Sequence, residues 1–268
     1  MRLLRLEIAK LRHQKRTWFG YVALSLVVVV GTVALALSDS WQVGDGTLPI
    51  LGAVFDNGLA VPIVALLFLS PFLLPLTAVM AGAFTIAGEV ESGTLRTILV
   101  RPVDRGRLLA AKYAVSVLYL ASAMTLVFAV ALLAGQIAFG IHRLEVPFFS
   151  LSVSGILWRT AVSYAVCLVA MTAVLALAVL VSVFANSSLT AAIVSLVVVM
   201  VCQVIVAFDY FAFLRPWLFT NYFLSWVGLY LHPIGWVEIE KAVACCLGWT
   251  AFFATLSWLR FRQRDITV

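Results

Sequence analysis

Uncharged apolar runs recur along this 268-residue chain, separated by short groups of charged residues. A helix needs about 20 apolar residues to cross a bilayer core. Five runs meet that length without interruption, roughly 18–37, 59–86, 114–139, 160–184 and 189–208, and a sixth covers about 242–259. The pattern predicts an all-α membrane protein, with six transmembrane helices forming a single transmembrane domain over residues 1–268. Ahead of the first run, Leu4, Ile8 and Leu11 recur at helical spacing among Arg5, Glu7, Lys10 and Arg12. That spacing reads as an amphipathic helix lying at the membrane interface. A basic flank that only fixes topology is the plainer alternative.

Two runs depart from the regular pattern. The second contains Pro62, Pro71 and Pro75. Each removes a backbone donor, so a bent span is expected. The stretch 209–240 is too polar for two more spans, yet it holds Tyr210, Phe211, Phe213, Trp217, Phe219, Tyr222, Phe223, Trp226, Tyr230 and Trp236. One reading is a re-entrant outer hairpin between spans five and six, broken at Arg215-Pro216 and His232-Pro233; the other is an aromatic belt lying flat on the membrane.

Composition agrees with the pattern. Hydrophobic residues make up 64% of the chain and charged residues 11%, with a mean hydropathy of +1.11; soluble domains carry roughly 25% charged residues. The formal net charge is +6. The positive residues lie at the ends of apolar runs, which is a topology signal and not a nucleic-acid-binding face. Arg2, Arg5, Lys10, Arg12, Lys15 and Arg16 precede the first span. Arg96, Arg101, Arg105, Arg107 and Lys112 lie between the second and third, and Arg260, Arg262 and Arg264 follow the sixth. The opposite side receives Arg143, Arg159, Arg215 and Lys241. By the positive-inside rule both termini and the 88–112 connector face the cytoplasm. Ala34-Leu35-Ala36 resembles a signal-peptide cleavage site, but the apolar stretch before it is longer than a signal's core, so cleavage is not expected.

Catalytic chemistry is hard to place on such a chain. Away from their boundaries, the six runs contain no Asp, Glu, Lys, Arg or His, which argues against proton-coupled transport. His13, His142 and His232 all fall outside the runs, leaving no base, nucleophile and metal ligand within reach of one another. Cys167, Cys202, Cys245 and Cys246 lie in apolar runs without zinc or disulfide-framework spacing, and read as small core residues. Met200 with Cys202 would make a poor chelate, because residues two apart point to different helix faces. The dipeptide Gly-Lys of a phosphate-binding loop does not occur. Any ATP used must be bound by another subunit.

The connector is the one long charged passage. Glu89 and Glu91 are followed by Gly93-Thr94-Leu95, and Leu95, Ile98 and Leu99 fall at helical spacing before Pro102. The expected element is an amphipathic helix over about 89–103, with acidic residues in its first turn. Such a helix suits docking of a cytosolic protein; a solvated link between two spans is the alternative.

These residues resemble the cytoplasmic signature of the ABC type 2 (ABC-2) membrane permeases. Glu91-Ser92-Gly93-Thr94-Leu95 matches a Glu-x-Gly-Thr-Leu pattern, Pro102-Val103-Asp104-Arg105 matches Pro-Val-Ser-Arg with Asp104 in place of Ser, and Lys112 follows. Glu7-Ile8-Ala9-Lys10-Leu11-Arg12 and Arg264-Asp265-Ile266 also resemble that family's ends. The resemblance implies a six-span permease that pairs with a second copy, as a homodimer or a related heterodimer, on cytosolic ATP-binding-cassette subunits. ATP and magnesium would bind those subunits, with no cofactor on this chain. It implies a coupling role for Glu89, Glu91, Gly93, Thr94, Leu95, Arg96, Pro102 and Arg105, and an interfacial helix carrying Glu7, Lys10 and Arg12. It also implies an outer gate formed by the aromatic loop, with Arg215, Pro216, Trp217 and Trp226. The function so implied is an ATP-driven exporter in a bacterial inner membrane. A membrane-embedded regulatory or immunity protein that docks a cytosolic partner without transport would share the docking connector.

Overall fold

A computed structural model describes residues 7, 9, 15–37, 57–93, 105–140, 144–146, 149–231 and 233–263. The helices are α1 (Lys15–Leu37), α2 (Val61–Leu69), α3 (Leu73–Glu91), α4 (Arg105–Phe139), α5 (Val153–Phe184), α6 (Ser188–Ala207) and α7 (Trp236–Gln263). All but α2 are long and apolar enough to span a membrane. The six-helix architecture expected from the apolar runs is therefore present.

Helix α5 is the centre of the bundle. Of its most apolar stretch 67% is buried, against 56% for α3 and 17–28% for the other four. It packs chiefly on α3 and α7, while α1 lies on α4 and α6 on α3. Close approach of α3 to α5 depends on Gly82, where a Cβ would lie 2.6 Å from Ala178 Cβ and 2.8 Å from the Leu175 carbonyl oxygen. Small residues allow this kind of backbone contact, which is how apolar helices gain packing when lipid competes for the same surface.

The expected bend in the second run is a full break. Residues 70–72 separate α2 from α3, and each proline has its own role there. Pro62 and Pro75 stand in the first turns of α2 and α3, where a missing N–H costs nothing. Pro71 occupies the break, and its carbonyl accepts a hydrogen bond of 2.9 Å from Gln203 Nε2 of α6. A short 3-10 turn, Gly58–Ala60, precedes α2 and is capped by the Asn57 side chain.

Outside the spans the chain forms two compact features. A two-stranded antiparallel hairpin, β1 (Leu144–Val146) with β2 (Phe149–Leu151), links α4 to α5; the apolar pattern gave no sign of it. The aromatic stretch after α6 folds as three 3-10 segments, Asp209–Trp217, Phe219–Tyr222 and Ser225–Tyr230.

Candidate coupling site at the connector

Helix α3 runs through Glu89 and Glu91, so these carboxylates close a spanning helix instead of opening a separate connector helix. Ser92 caps it, and Gly93 follows at φ +66° with its N–H bonded to the Val90 carbonyl. This is the left-handed termination that glycine provides without steric cost. A Cβ at Gly93 would meet no atom within 4 Å, so the backbone angle alone restricts the position. Gly93→Val is expected to destabilise the helix end by about 1–2 kcal/mol. Faster amide exchange confined to peptides covering 88–93, with an unchanged melting temperature for the bundle, would show it.

Acidic side chains at a helix C-terminus oppose the helix dipole, and here each has a compensating donor. Lys112, only 4% exposed, places Nζ 2.5 Å from Glu89 Oε1 and 3.0 Å from Glu7 Oε1. Glu89 is itself buried. Taking three charged groups out of water is costly, and only their mutual attraction at short range offsets it. The triad ties together the N-terminal segment, the end of α3 that enters the connector and the start of α4 that leaves it.

Glu91 points to a different helix. Its Oε2 accepts hydrogen bonds from the Ser188 amide, at 3.0 Å, and the Ser188 hydroxyl, at 2.5 Å. Ser187, the residue at the N-cap, makes no side-chain cap bond. A carboxylate from a distant part of the chain thus caps the positive end of α6. One turn earlier, the fully buried Ser182 Oγ of α5 donates to the Ala83 carbonyl at 3.0 Å and accepts from the Ile86 and Ala87 amides at 3.1 and 2.8 Å. Ile86, Leu108, Leu109, Val179, Val183 and Phe261 form an apolar cluster beneath, bringing α3, α4, α5 and α7 together at this end.

Of the expected coupling residues, Glu89, Glu91 and Gly93 are thus placed, Arg105 opens α4, and Thr94, Leu95, Arg96 and Pro102 lie outside the described residues. Within the expected interfacial helix, Glu7 and Ala9 are helical, whereas Lys10 and Arg12 lie outside the described residues. Sequence reasoning missed Ser182 and Ser188. Ser182 is one of many serines in apolar runs and Ser188 falls in the short turn between the fourth and fifth runs, so neither stands out without its spatial partner.

The expected gate residues divide between two environments. Arg215 donates from Nε to the Val206 carbonyl in the last turn of α6, and its Nη2 pairs with Asp209 at 2.7 Å. Pro216 and Trp217 contribute carbonyls, which accept from Tyr222 Oη at 3.0 Å and Trp249 Nε1 at 2.7 Å; the Trp217 ring is exposed. Trp226 is fully buried and meets Tyr230 edge-on. The loop is fastened to α5 through Arg159, which donates to the Leu229 carbonyl, and through the Tyr230 hydroxyl on Thr160. Burial pushes the Tyr230 phenol above its ordinary range, with its hydrogen bonds and Arg159 acting the other way, so it remains a neutral donor at neutral pH. Among the described residues, no group of three His, Cys, Asp or Glu could hold a metal ion.

The family model for ABC-2 family transporter proteins matches residues 3–203, a span containing Glu7, both connector carboxylates, Lys112, Ser182 and Ser188. The chain belongs to the ABC-2 transporter family. A probable ABC transporter permease protein, NosY of Stutzerimonas stutzeri, is 32% identical over 121 residues, or 45% of this chain. The alignment covers 40% of that relative's length. This chain is thus an integral membrane protein and an ABC-2 permease subunit of a transporter. The connector triad and the Glu91 cap are the polar structure that this permease builds at the charged end of its bundle.

Proposed function

We propose that this permease is the membrane-spanning subunit of an ATP-driven exporter, docked through its connector and N-terminal helix on a separate cytosolic ATP-binding-cassette subunit. The charged end of the bundle faces the cytoplasm of a bacterial cell, and a second copy or a related permease completes the pathway. Thr94, Leu95, Arg96, Pro102 and Arg105 form the docking edge, Lys10 and Arg12 flank it, and the loop bearing Arg215, Pro216, Trp217 and Trp226 closes the outer side. The observation that carries this reading is Lys112 bridging Glu7 and Glu89. Because one buried cation holds the N-terminal segment and both helices that flank the connector, a force applied at the connector displaces them together.

The test is reconstitution with a cytosolic ATP-binding-cassette subunit that copurifies with it. Transport activity requires hydrolysis to accompany substrate release or movement; a regulatory protein would bind the partner without that dependence. Glu91→Lys replaces the cap of α6 with a like charge at its positive end, and is expected to lower coupled turnover at least about tenfold, the scale of a lost charge-assisted hydrogen bond. Unchanged copurification together with unchanged substrate-linked turnover would count against the assignment.

A further inference from the structure

The last two turns of α3 are bonded to the α5–α6 hairpin at two points, both through serine hydroxyls. Ser182, near the end of α5, lies beside the rung of α3 formed by Ala83 and Ala87, donating to the carbonyl of one and accepting from the amide of the other, and it also accepts from Ile86. Ser188, the first residue of α6, binds the Glu91 carboxylate through both its amide and its hydroxyl. Only residues 185–187 separate α5 from α6, so the two contacts grip one tight turn from both sides.

Their chemistry differs from that of the neighbouring apolar contacts. Side chains packed in the cluster around Ile86 can slide past one another at little cost, whereas a hydroxyl bonded to three backbone groups holds one register. In such a buried setting, breaking these bonds leaves the Ser182 hydroxyl without the partners that satisfy it. Helix α6 buries only 22% of its apolar stretch and packs chiefly along α3, with Gln203 also bonded to the Pro71 carbonyl. One face of α6, along Leu196, Val197, Met200, Val201 and Val204, lines an open apolar groove. A displacement of the α3 end is therefore transmitted to α6 along this packed and bonded face.

We infer that Ser182 and Ser188 are positioning residues of the transport cycle, forming a hydrogen-bonded relay that passes movement of the connector end of α3 to the α5–α6 hairpin. The inference rests on the ATP-driven exporter reading for its role in transport; the mechanical link is testable without it. Neither serine touches cargo or nucleotide in this scheme. Each acts by fixing the register between α3 and its neighbours.

The first measurement uses the full chain alone in lipid nanodiscs, followed by hydrogen exchange. Ser182→Ala is expected to speed exchange in peptides covering 83–93 about tenfold, the scale of one buried hydrogen bond, and to speed exchange in 186–196 in the same direction. A rise confined to 83–93 overturns the relay. The second uses the complex with the ATP-binding-cassette subunit trapped by ATP and vanadate. Wild type is expected to change its exchange in both 83–93 and 188–200. The Ser182→Ala, Ser188→Ala double variant should keep the first change and lose most of the second, while Ser188→Thr, which retains a hydroxyl, behaves as wild type. Equal propagation in the double variant and wild type overturns the relay. If Ser182→Ala behaves as expected in the first measurement but the wild-type complex shows no vanadate response in the second, the link stands and the ATP-driven exporter reading is overturned, so the two failures are distinguishable.

Discussion

Lys112→Met is expected to destabilise the charged end of the bundle by about 3–5 kcal/mol, the usual cost of removing one partner from a buried ion pair. Methionine keeps the length and much of the volume of the lysine stem, so little cavity arises and the loss is electrostatic. Without the ammonium, the Glu7 and Glu89 carboxylates are left near each other, with Glu89 still buried. Their mutual repulsion favours separation, which pulls the N-terminal segment away from α3. The check is thermal unfolding in detergent, with a clear drop in melting temperature for Lys112→Met. Adding Glu89→Gln to that variant removes one of the two like charges and should restore part of the loss. If the double variant is no more stable than Lys112→Met alone, the destabilisation comes from packing and not from charge.

Gly82→Val is expected to separate α3 from α5 and to destabilise the fold by about 1–3 kcal/mol or more, as overpacking of a close-packed core does. The contact is with fixed atoms. A Cβ at this position would lie 2.6 Å from Ala178 Cβ, 2.8 Å from the Leu175 carbonyl oxygen and 3.1 Å from the Val179 amide nitrogen. None of these belongs to a flexible side chain that could swing away, so the helices must move apart. Ser182 lies one turn beyond Ala178 on the same helix, and its bonds to Ala83, Ile86 and Ala87 would lengthen with the separation. The variant should therefore lose melting temperature and also show faster exchange at 83–93. By contrast, Gly31 and Gly248 have open space where a Cβ would be placed, and alanine at either should leave both readouts unchanged.

The apolar runs located every spanning helix but placed several ends too far inward. They end the second span at Ile86 and begin the third at Ala114, each stopping at the nearest charge. The helices continue to Glu91 and begin at Arg105. Glu89 and Lys112 lie within these extensions because each neutralises the other across the helix–helix contact. Hydropathy scores each charge as an isolated cost and has no means of pairing them. Likewise α5 starts at Val153, seven positions before the expected start, with Arg159 inside it and bonded to the Leu229 carbonyl of the outer loop. The prolines marked a disturbance in the second run, but only the structure shows Pro71 at the break with its carbonyl held by Gln203.

The candidate site was legible where chemistry and local sequence coincide. Glu91, Gly93 and Pro102 stand together in the chain, and Gly93 takes a φ of +66° just past the end of α3. The acidic pair was read as the start of a helix when it is the end of one. A short charged motif carries no sign of which side its helix lies on.

By itself, the sequence determined the number of spanning helices, the concentration of charge at one end of them and the family, because segment length and composition decide whether a helix can leave water. Only the tertiary structure decided which helix lies at the centre, that Lys112 joins Glu7 to Glu89, and that two unremarked serines fasten α3 to the α5–α6 hairpin. Those features join residues about 23 to 105 positions apart. Their energies depend on distances and burial that exist only once the helices have packed.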